Sequence, residues 1–307
     1  MNKIIIPLCV LLAAVVAYRF RFSLAYGFYS TPIGTRLVYS LAVREKKKTA
    51  DGGKRQARTV HDSNTTLVLQ LPVLSDNFCY IIHDKESKTC AIVDCVEPDR
   101  VVAAIGRDYK IAAILSTHWH HDHAGGNNEL VASLLSTGHH GVKVYGSAVD
   151  RPQGLTHLVA DGDVVTVGAQ TTLDVIATPG HTLGSVCYYL NKTMLFTGDT
   201  LFTAGCGKLF EGTAEMMYKS FRKIRALPDR TLLAAGHAYC LSNLRFALSL
   251  DPANPHLADT CGAAEKTFEQ GYALTPTTLE FEHKVNVFLQ ADSVARFAEL
   301  RARKDAF

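Results

Sequence analysis

The 307-residue chain predicts an α/β layered domain followed by an α-helical appendage. Three observations carry that expectation. From residue 66 onward, short apolar runs are broken by turn residues, which is the pattern of strands. Helical stretches are intercalated among these runs. From residue 242 the chain is mostly helical to its end.

Taken in order, Leu67–Leu74, Phe78–His83 and Thr89–Cys95 are expected strands, with a hairpin turn at Asp84-Lys85-Glu86-Ser87. Pro98–Tyr109 is an expected helix, Ile111–Ser116 a buried strand, Asn127–Ser136 a helix and Val142–Tyr145 a strand. Strands follow at 164–167, 171–177, 185–190 and 193–197, the last two forming a hairpin around Asn191-Lys192. A helix near 214–226 and a strand at Leu232–Ala235 lead into the helical tail. No internal repeat is evident.

A 47% hydrophobic content excludes a mainly disordered chain. The formal net charge of +3 conceals an asymmetry. Residues 1–58 hold eleven Lys/Arg against two Asp/Glu, whereas residues 59–307 hold 21 against 27. The acidic body makes a poor nucleic-acid footprint, so no nucleic-acid partner is expected. Eight cysteines without paired or periodic spacing argue against a zinc finger or a disulfide framework. Several lie in apolar runs, so reduced, buried thiols are expected.

The basic excess belongs to an extension at residues 1–58. Its apolar run Ile4–Ala17 is closed by Tyr18-Arg19-Phe20-Arg21. Such a run makes a helix of about 21 Å, short for a hydrocarbon core of about 30 Å unless Arg19 and Arg21 snorkel. The acid-free, Arg-containing stretch before Glu45 suits a mitochondrial transit peptide. Two alternatives stay open: a membrane anchor through residues 4–21 with a cytosolic body, and a secretory signal. Residues 44–58 have the composition of a linker.

One segment outweighs the rest. Ser116-Thr117-His118-Trp119-His120-His121-Asp122-His123-Ala124-Gly125-Gly126 places four His and one Asp within six residues, directly after an expected buried strand. His118 and His120, two apart, can converge on one point, while Asp122 and His123 can face a second point nearby. Imidazole with carboxylate suits zinc, iron or manganese. Further candidates follow the same punctuation of apolar run, glycine and ligand type: Gly180-His181, Gly198-Asp199 and Gly236-His237. Together these are seven ligands, enough for two metals. His61, His83, His139, His140, His157, His256 and His283 lack that context and are expected at the surface or in packing.

This order of motifs resembles the metallo-β-lactamase superfamily, with its His-x-His-x-Asp-His signature, and more closely the glyoxalase II (hydroxyacylglutathione hydrolase) family. Matching stretches are Leu74-Ser75-Asp76-Asn77-Phe78, Ala91-Ile92-Val93-Asp94, Gly198-Asp199-Thr200-Leu201-Phe202, Ala204-Gly205-Cys206-Gly207-Lys208, Glu211-Gly212-Thr213-Ala214, Gly236-His237 and Arg303-Lys304-Asp305. The resemblance runs from about residue 66 to 307. It implies an αββα sandwich over residues 59–241 and a helical glutathione-binding domain over 242–307, after the 1–58 extension.

It also implies two divalent metal ions per chain, zinc in the first instance, with iron or manganese as alternatives. His118, His120 and His181 would hold one and Asp122, His123 and His237 the other. Asp199 would bridge them, with Asp122 and Asp199 serving catalysis around a shared hydroxide. Lys208, Tyr239, Arg301 and Lys304 would grip the glutathione moiety of the substrate. The chain departs from the family pattern at two positions. Phe210 stands where many relatives carry Tyr, and Ala238 replaces the usual Glu, removing a carboxylate beside His237. Loss of a partner that orients a ligand weakens metal affinity by about ten- to a hundredfold.

The expected activity is hydrolysis of S-D-lactoylglutathione to D-lactate and glutathione in methylglyoxal detoxification, by a monomer. Rival readings are a one-iron persulfide dioxygenase, a hydrolase of trypanothione-type conjugates and a catalytically silent metal-binding module.

Overall fold

The computed structural model describes residues 56–106, 108–269 and 273–307. The extension's apolar run, with its membrane or targeting role, lies outside them, as does Cys9. Among the described residues no helix is long and apolar enough to cross a membrane.

Two sheets stack face to face with helices on both outer faces, an αββα sandwich. The first has seven strands in sequence order: β1 (Arg58–Asp62), β2 (Thr66–Val73), β3 (Asn77–Asp84), β4 (Thr89–Val93), β5 (Lys110–Leu115), β6 (Lys143–Ser147) and β7 (His157–Val159). It is antiparallel through β4 and parallel from β4 to β7. The parallel crossovers carry helices α1 (Pro98–Ile105) and α3 (Asn127–Ser136), with the single turn α2 (His121–Ala124) between β5 and α3.

The second sheet contains β8 (Val164–Val167), β9 (Thr171–Ala177), β10 (Val186–Leu190), β11 (Met194–Gly198), β14 (Leu232–Ala235) and β15 (Thr277–Thr278), ordered β15-β14-β11-β10-β9-β8. Between β11 and β14 lie the small hairpin β12 (Leu201–Phe202) and β13 (Gly205–Cys206) and helix α4 (Ala214–Arg225). Helices α5 (Cys240–Leu250), α6 (Pro255–Glu269), α7 (Leu279–Val285) and α8 (Val294–Ala306) complete the chain.

Strand periodicity builds the core. In β10, Val186, Tyr188 and Leu190 face the first sheet and meet Val68, Tyr80, Ile82, Val93 and Leu115. Cys187 and Tyr189 point the other way, into a layer made with Met217, Phe221 and Ile224 of α4 and Phe297 and Leu300 of α8. A strand buried on both faces reads as a continuous apolar run, as β10 does. Asn191 and Lys192 both take positive φ in the turn to β11, as a tight hairpin requires.

Five strands lack a sequence signal. β1 lies in and beyond the basic linker: its residues apart from Val60 are polar and it is an edge strand, so no alternation betrays it. It is held by Arg58, whose Nε donates to Gln70 Oε1 (2.8 Å) and whose Nη2 donates to the carbonyls of Ala273 and Thr275. β7 is another short edge strand, and β12 and β13 are two residues each. β15 shows that the tail is not wholly helical, because it pairs with β14 and extends the second sheet. All seven described cysteines are buried free thiols.

Candidate metal centre

The ligand types sit where strands end at one edge of the sandwich. The chain leaves β5 into His118 and His120, then turns through α2, which carries Asp122 and His123. His181 follows β9, Asp199 follows β11 and His237 follows β14. Because β11 and β14 are parallel, Asp199 and His237 emerge on the same side. Gly236 is required there: a Cβ on it would lie 2.8 Å from Asp199 Oδ1 and 2.9 Å from His123 Cε1.

All seven expected ligands come together. His118, His120 and His181 form one group able to hold a metal ion, and Asp122, His123 and His237 form a second. His120 Nδ1 lies 3.0 Å from the Nε2 atoms of both His118 and His181. Across the second group, His123 Nε2 and His237 Nε2 are 3.1 Å apart. Asp199 stands between the groups, with Oδ2 3.4 Å from both His181 Nε2 and His237 Nε2 and Oδ1 3.2 Å from His123 Nε2. Despite that approach, Asp199 Oδ1 is buried and receives no hydrogen bond. Converging imidazole lone pairs and a buried carboxylate oxygen without a donor are what a cation satisfies, so the residues fit two divalent ions.

Electrostatics separate the two groups. Burial and neighbouring imidazoles push His118 well below its ordinary value and His120 to about 3. Burial also lowers His181. These rings offer lone pairs without competition from protons. Burial works against protonation of His123 and His237 too, but Asp199 outweighs it. Helped by Asp94, it raises His123 well above its ordinary value, and helped by Asp76 it raises His237 to about 9. A cation bound by the second group would therefore have to displace protons from it.

Three of the rings are oriented from behind. Asp94, at the end of β4, accepts from Thr117 N (2.8 Å) and Thr117 Oγ1 (2.8 Å) and faces His123 Nδ1 at 2.9 Å. His181 Nδ1 donates to the Lys208 carbonyl at 2.8 Å. His237 Nδ1 pairs with Asp76 Oδ1 at 2.9 Å, and Asn77 Nδ2 donates to Asp122 Oδ2 at 3.2 Å. Sequence reasoning met Asp76, Asn77 and Asp94 only as parts of matching stretches and gave them no role. Ala238 leaves no carboxylate next to His237 in sequence, but the ring is oriented by another one. Asp76, across the sandwich, is that carboxylate, and the backbone N of Ala238 donates to the Asp76 carbonyl (2.8 Å).

The residues expected to grip substrate divide into two sets. Phe210 presents its ring edge-on to His120 (5.5 Å) and His181 (5.2 Å), with Lys208 Nζ 5.8 Å from the Phe210 centroid. Tyr239 stacks on His237 with ring centroids 4.6 Å apart. These three adjoin the metal groups. Arg301 and Lys304 on α8 stand behind them. Arg301 is buried, with Nη1 on the Cys206 carbonyl (2.7 Å) and Nη2 on Asp305 (3.0 Å), so much of its fork is spent inside the protein. Lys304 Nζ donates to the Ser242 carbonyl (2.9 Å) in the first turn of α5, which Tyr239 precedes.

Two family models match the chain end to end from Leu74: the metallo-β-lactamase superfamily over residues 74–237 and the hydroxyacylglutathione hydrolase C-terminus over 238–307. Hydroxyacylglutathione hydrolases of Klebsiella pneumoniae and Serratia proteamaculans are each 38% identical over 257 residues, spanning 78% of this chain and 99% of the relative. The chain belongs to the hydroxyacylglutathione hydrolase family. As a member of that family, within the metallo-β-lactamase superfamily, it is a hydrolase with a divalent-metal site.

Solved structures agree on the fold of this hydroxyacylglutathione hydrolase family member. ETHE1 from Myxococcus xanthus is 25% identical with a TM-score of 0.57, over 81% of this chain and 90% of that one. A metallo-β-lactamase from Staphylococcus aureus, 22% identical, shares the fold with a TM-score of 0.58 over 80% of this chain and 72% of its own.

Proposed function

We propose that the protein hydrolyses S-(2-hydroxyacyl)glutathione, S-D-lactoylglutathione foremost, to the 2-hydroxy acid and glutathione, as a step of methylglyoxal detoxification. One observation carries this reading: Asp199 reaches both ligand groups at once, on a chain whose C-terminal region matches that of hydroxyacylglutathione hydrolases. His118, His120 and His181 would hold one cation, zinc in the first instance, and Asp122, His123 and His237 the other. Bound there, the pair would supply an activated water near neutral pH and positive charge where a tetrahedral oxyanion develops.

The protein's own groups do the rest. Asp94, Asp76 and the Lys208 carbonyl hold three imidazoles in fixed orientation, so little reorganisation is needed as charge develops. Phe210 walls the first group against water on one side. A thiolate leaving group has a conjugate-acid pKa of about 8.5, so no strong general acid is required. Lys208, Tyr239 and Lys304 grip the glutathione. Arg301, whose fork is held by the Cys206 carbonyl and Asp305, steadies the segment carrying Lys208 from inside the protein.

The test is hydrolysis of S-D-lactoylglutathione by the full chain, with metal analysis of the same sample. Turnover that disappears in Asp199→Ala is the expected result. Metal-loaded protein without thioesterase activity would overturn the reading. We further propose a mitochondrial destination set by residues 1–58, tested by localising a fusion to that segment, and a monomeric state.

A further inference from the structure

A carboxylate outside the ligand set joins both chain segments that carry the first ligand group. Asp150 follows β6, in the loop before β7, and is partly buried. Its Oδ2 accepts from Trp119 N (3.2 Å) and Thr182 Oγ1 (2.6 Å), and its Oδ1 accepts from Gly184 N (2.7 Å). Trp119 lies between His118 and His120, and Thr182 follows His181. One side chain therefore spans the segments bearing all three ligands of that group. The approach is close: a Cβ on Gly184 would sit 2.4 Å from Asp150 Oδ1.

Glu211, at the surface, repeats the span from the other side. It accepts from Trp119 Nε1 on Oε1 (2.8 Å) and from Leu183 N on Oε2 (2.9 Å). Trp119 is thus held twice, by its backbone and by its indole, each time to the loop that follows His181. The second ligand group is oriented from elsewhere, by Asp94 and Asp76. Keeping Asp150 where it is has a cost. Burial, with Glu211 nearby, raises its carboxyl to about 6. A carboxylate kept against that cost, with three donors converging on it, is suited to fixing geometry.

We propose that Asp150, supported by Glu211, is a positioning residue that locks the His181 loop to the His118–His120 segment and so sets the first metal position without touching the ion. This rests on the two-metal reading of the ligand groups, and it is independent of which thioester is cleaved.

The experiment is titration of the full-length, metal-stripped protein with zinc, and with cobalt(II) followed by absorption, in Asp150→Ala, Asp150→Asn and Glu211→Ala. In Asp150→Ala one of two binding steps should weaken about ten- to a hundredfold while the other stays within about twofold. Its cobalt spectrum at one equivalent should match that of His181→Ala. Asp150→Asn keeps an acceptor for Gly184 N but turns an amide donor toward Trp119 N or Thr182, so a smaller shift in the same step is expected. It also serves if the alanine variant does not fold. Glu211→Ala, at an exposed position, should move that step less than Asp150→Ala.

Equal weakening of both steps, or a lowered thermal midpoint with both affinities unchanged, would make Asp150 merely structural and overturn the proposal. A different outcome is that the unsubstituted protein binds two metals and fails to cleave S-D-lactoylglutathione. That result would remove the proposed substrate and leave the positioning role standing.

Discussion

Asp76 Oδ1 lies 2.9 Å from His237 Nδ1, joining the turn between β2 and β3 of the first sheet to the end of β14 in the second. The same seam is stitched by Phe78 N to the Gly236 carbonyl (2.8 Å) and Ala238 N to the Asp76 carbonyl (2.8 Å). The orientation of one ligand ring is therefore a property of how the two sheets meet, and it does not depend on the residue next to His237 in sequence. Asp76→Ala is expected to weaken one metal-binding step about ten- to a hundredfold, by analogy with other carboxylates that orient a ligand imidazole. Ala238→Glu should leave metal affinity within about twofold. Zinc titration of both variants checks the pair.

Phe210 sits edge-on to His120 and His181 and carries no hydroxyl, where the family resemblance implies a phenol. Restoring it should add one hydrogen bond, a net gain of about 0.5–1.5 kcal/mol. Phe210→Tyr is expected to lower KM for S-D-lactoylglutathione several-fold with kcat little changed. Steady-state kinetics at fixed metal content measure this.

Glu282 on α7 is fully buried, accepting from Ala204 N (2.8 Å), Asn286 Nδ2 (3.0 Å) and Thr277 Oγ1 (2.7 Å). Burial raises its carboxyl from 4.5 to about 7, although these donors pull it down. The folded protein then holds this proton more tightly than the unfolded chain between those values. Stability falls as pH rises from 4.5 to 7, and above 7 the full cost, about 3 kcal/mol, is present. Glu282→Gln can keep Ala204 N on its oxygen and donate to Thr277 Oγ1. It should flatten this dependence, which urea unfolding at pH 5 and pH 8 would reveal.

Asp84 behaves in the opposite sense, at the end of β3 remote from Asn77 and the metal groups. Burial alone would raise its carboxyl. Hydrogen bonds from Ser87 N, Gln170 N, Ser87 Oγ and Thr171 Oγ1 outweigh it and hold it at about 2. Gln170 and Thr171 open β9, so this side chain ties the two sheets at their far end. Its contribution, about 2 kcal/mol, is complete above the unfolded value of 3.8 and is lost as pH falls toward 2. Asp84→Asn should therefore be less stable than the unsubstituted protein at pH 6, and the difference should shrink at pH 2.5.

The ligands were legible in the sequence because each obeys a local rule: an apolar strand ends, glycine often follows or precedes, and a His or Asp comes next. His118, His120, Asp122, His123, His181, Asp199 and His237 all fit it. The edge strands β1 and β7 were not legible, since β1 is mostly polar and β7, at three residues, is too short to show a period. Nor was the committed state of Arg301, whose partner carbonyl lies 95 residues away.

Only tertiary structure decided which carboxylates stand behind the ligands. Asp76 is 161 residues from His237, and Asp150 is 31 from Trp119 and 32 from Thr182. In sequence each is one acid among many at a turn. Their role arises when two sheets close and bring loop ends within hydrogen-bond reach, because hydrogen bonding depends on distance and direction in space and leaves no mark on local pattern.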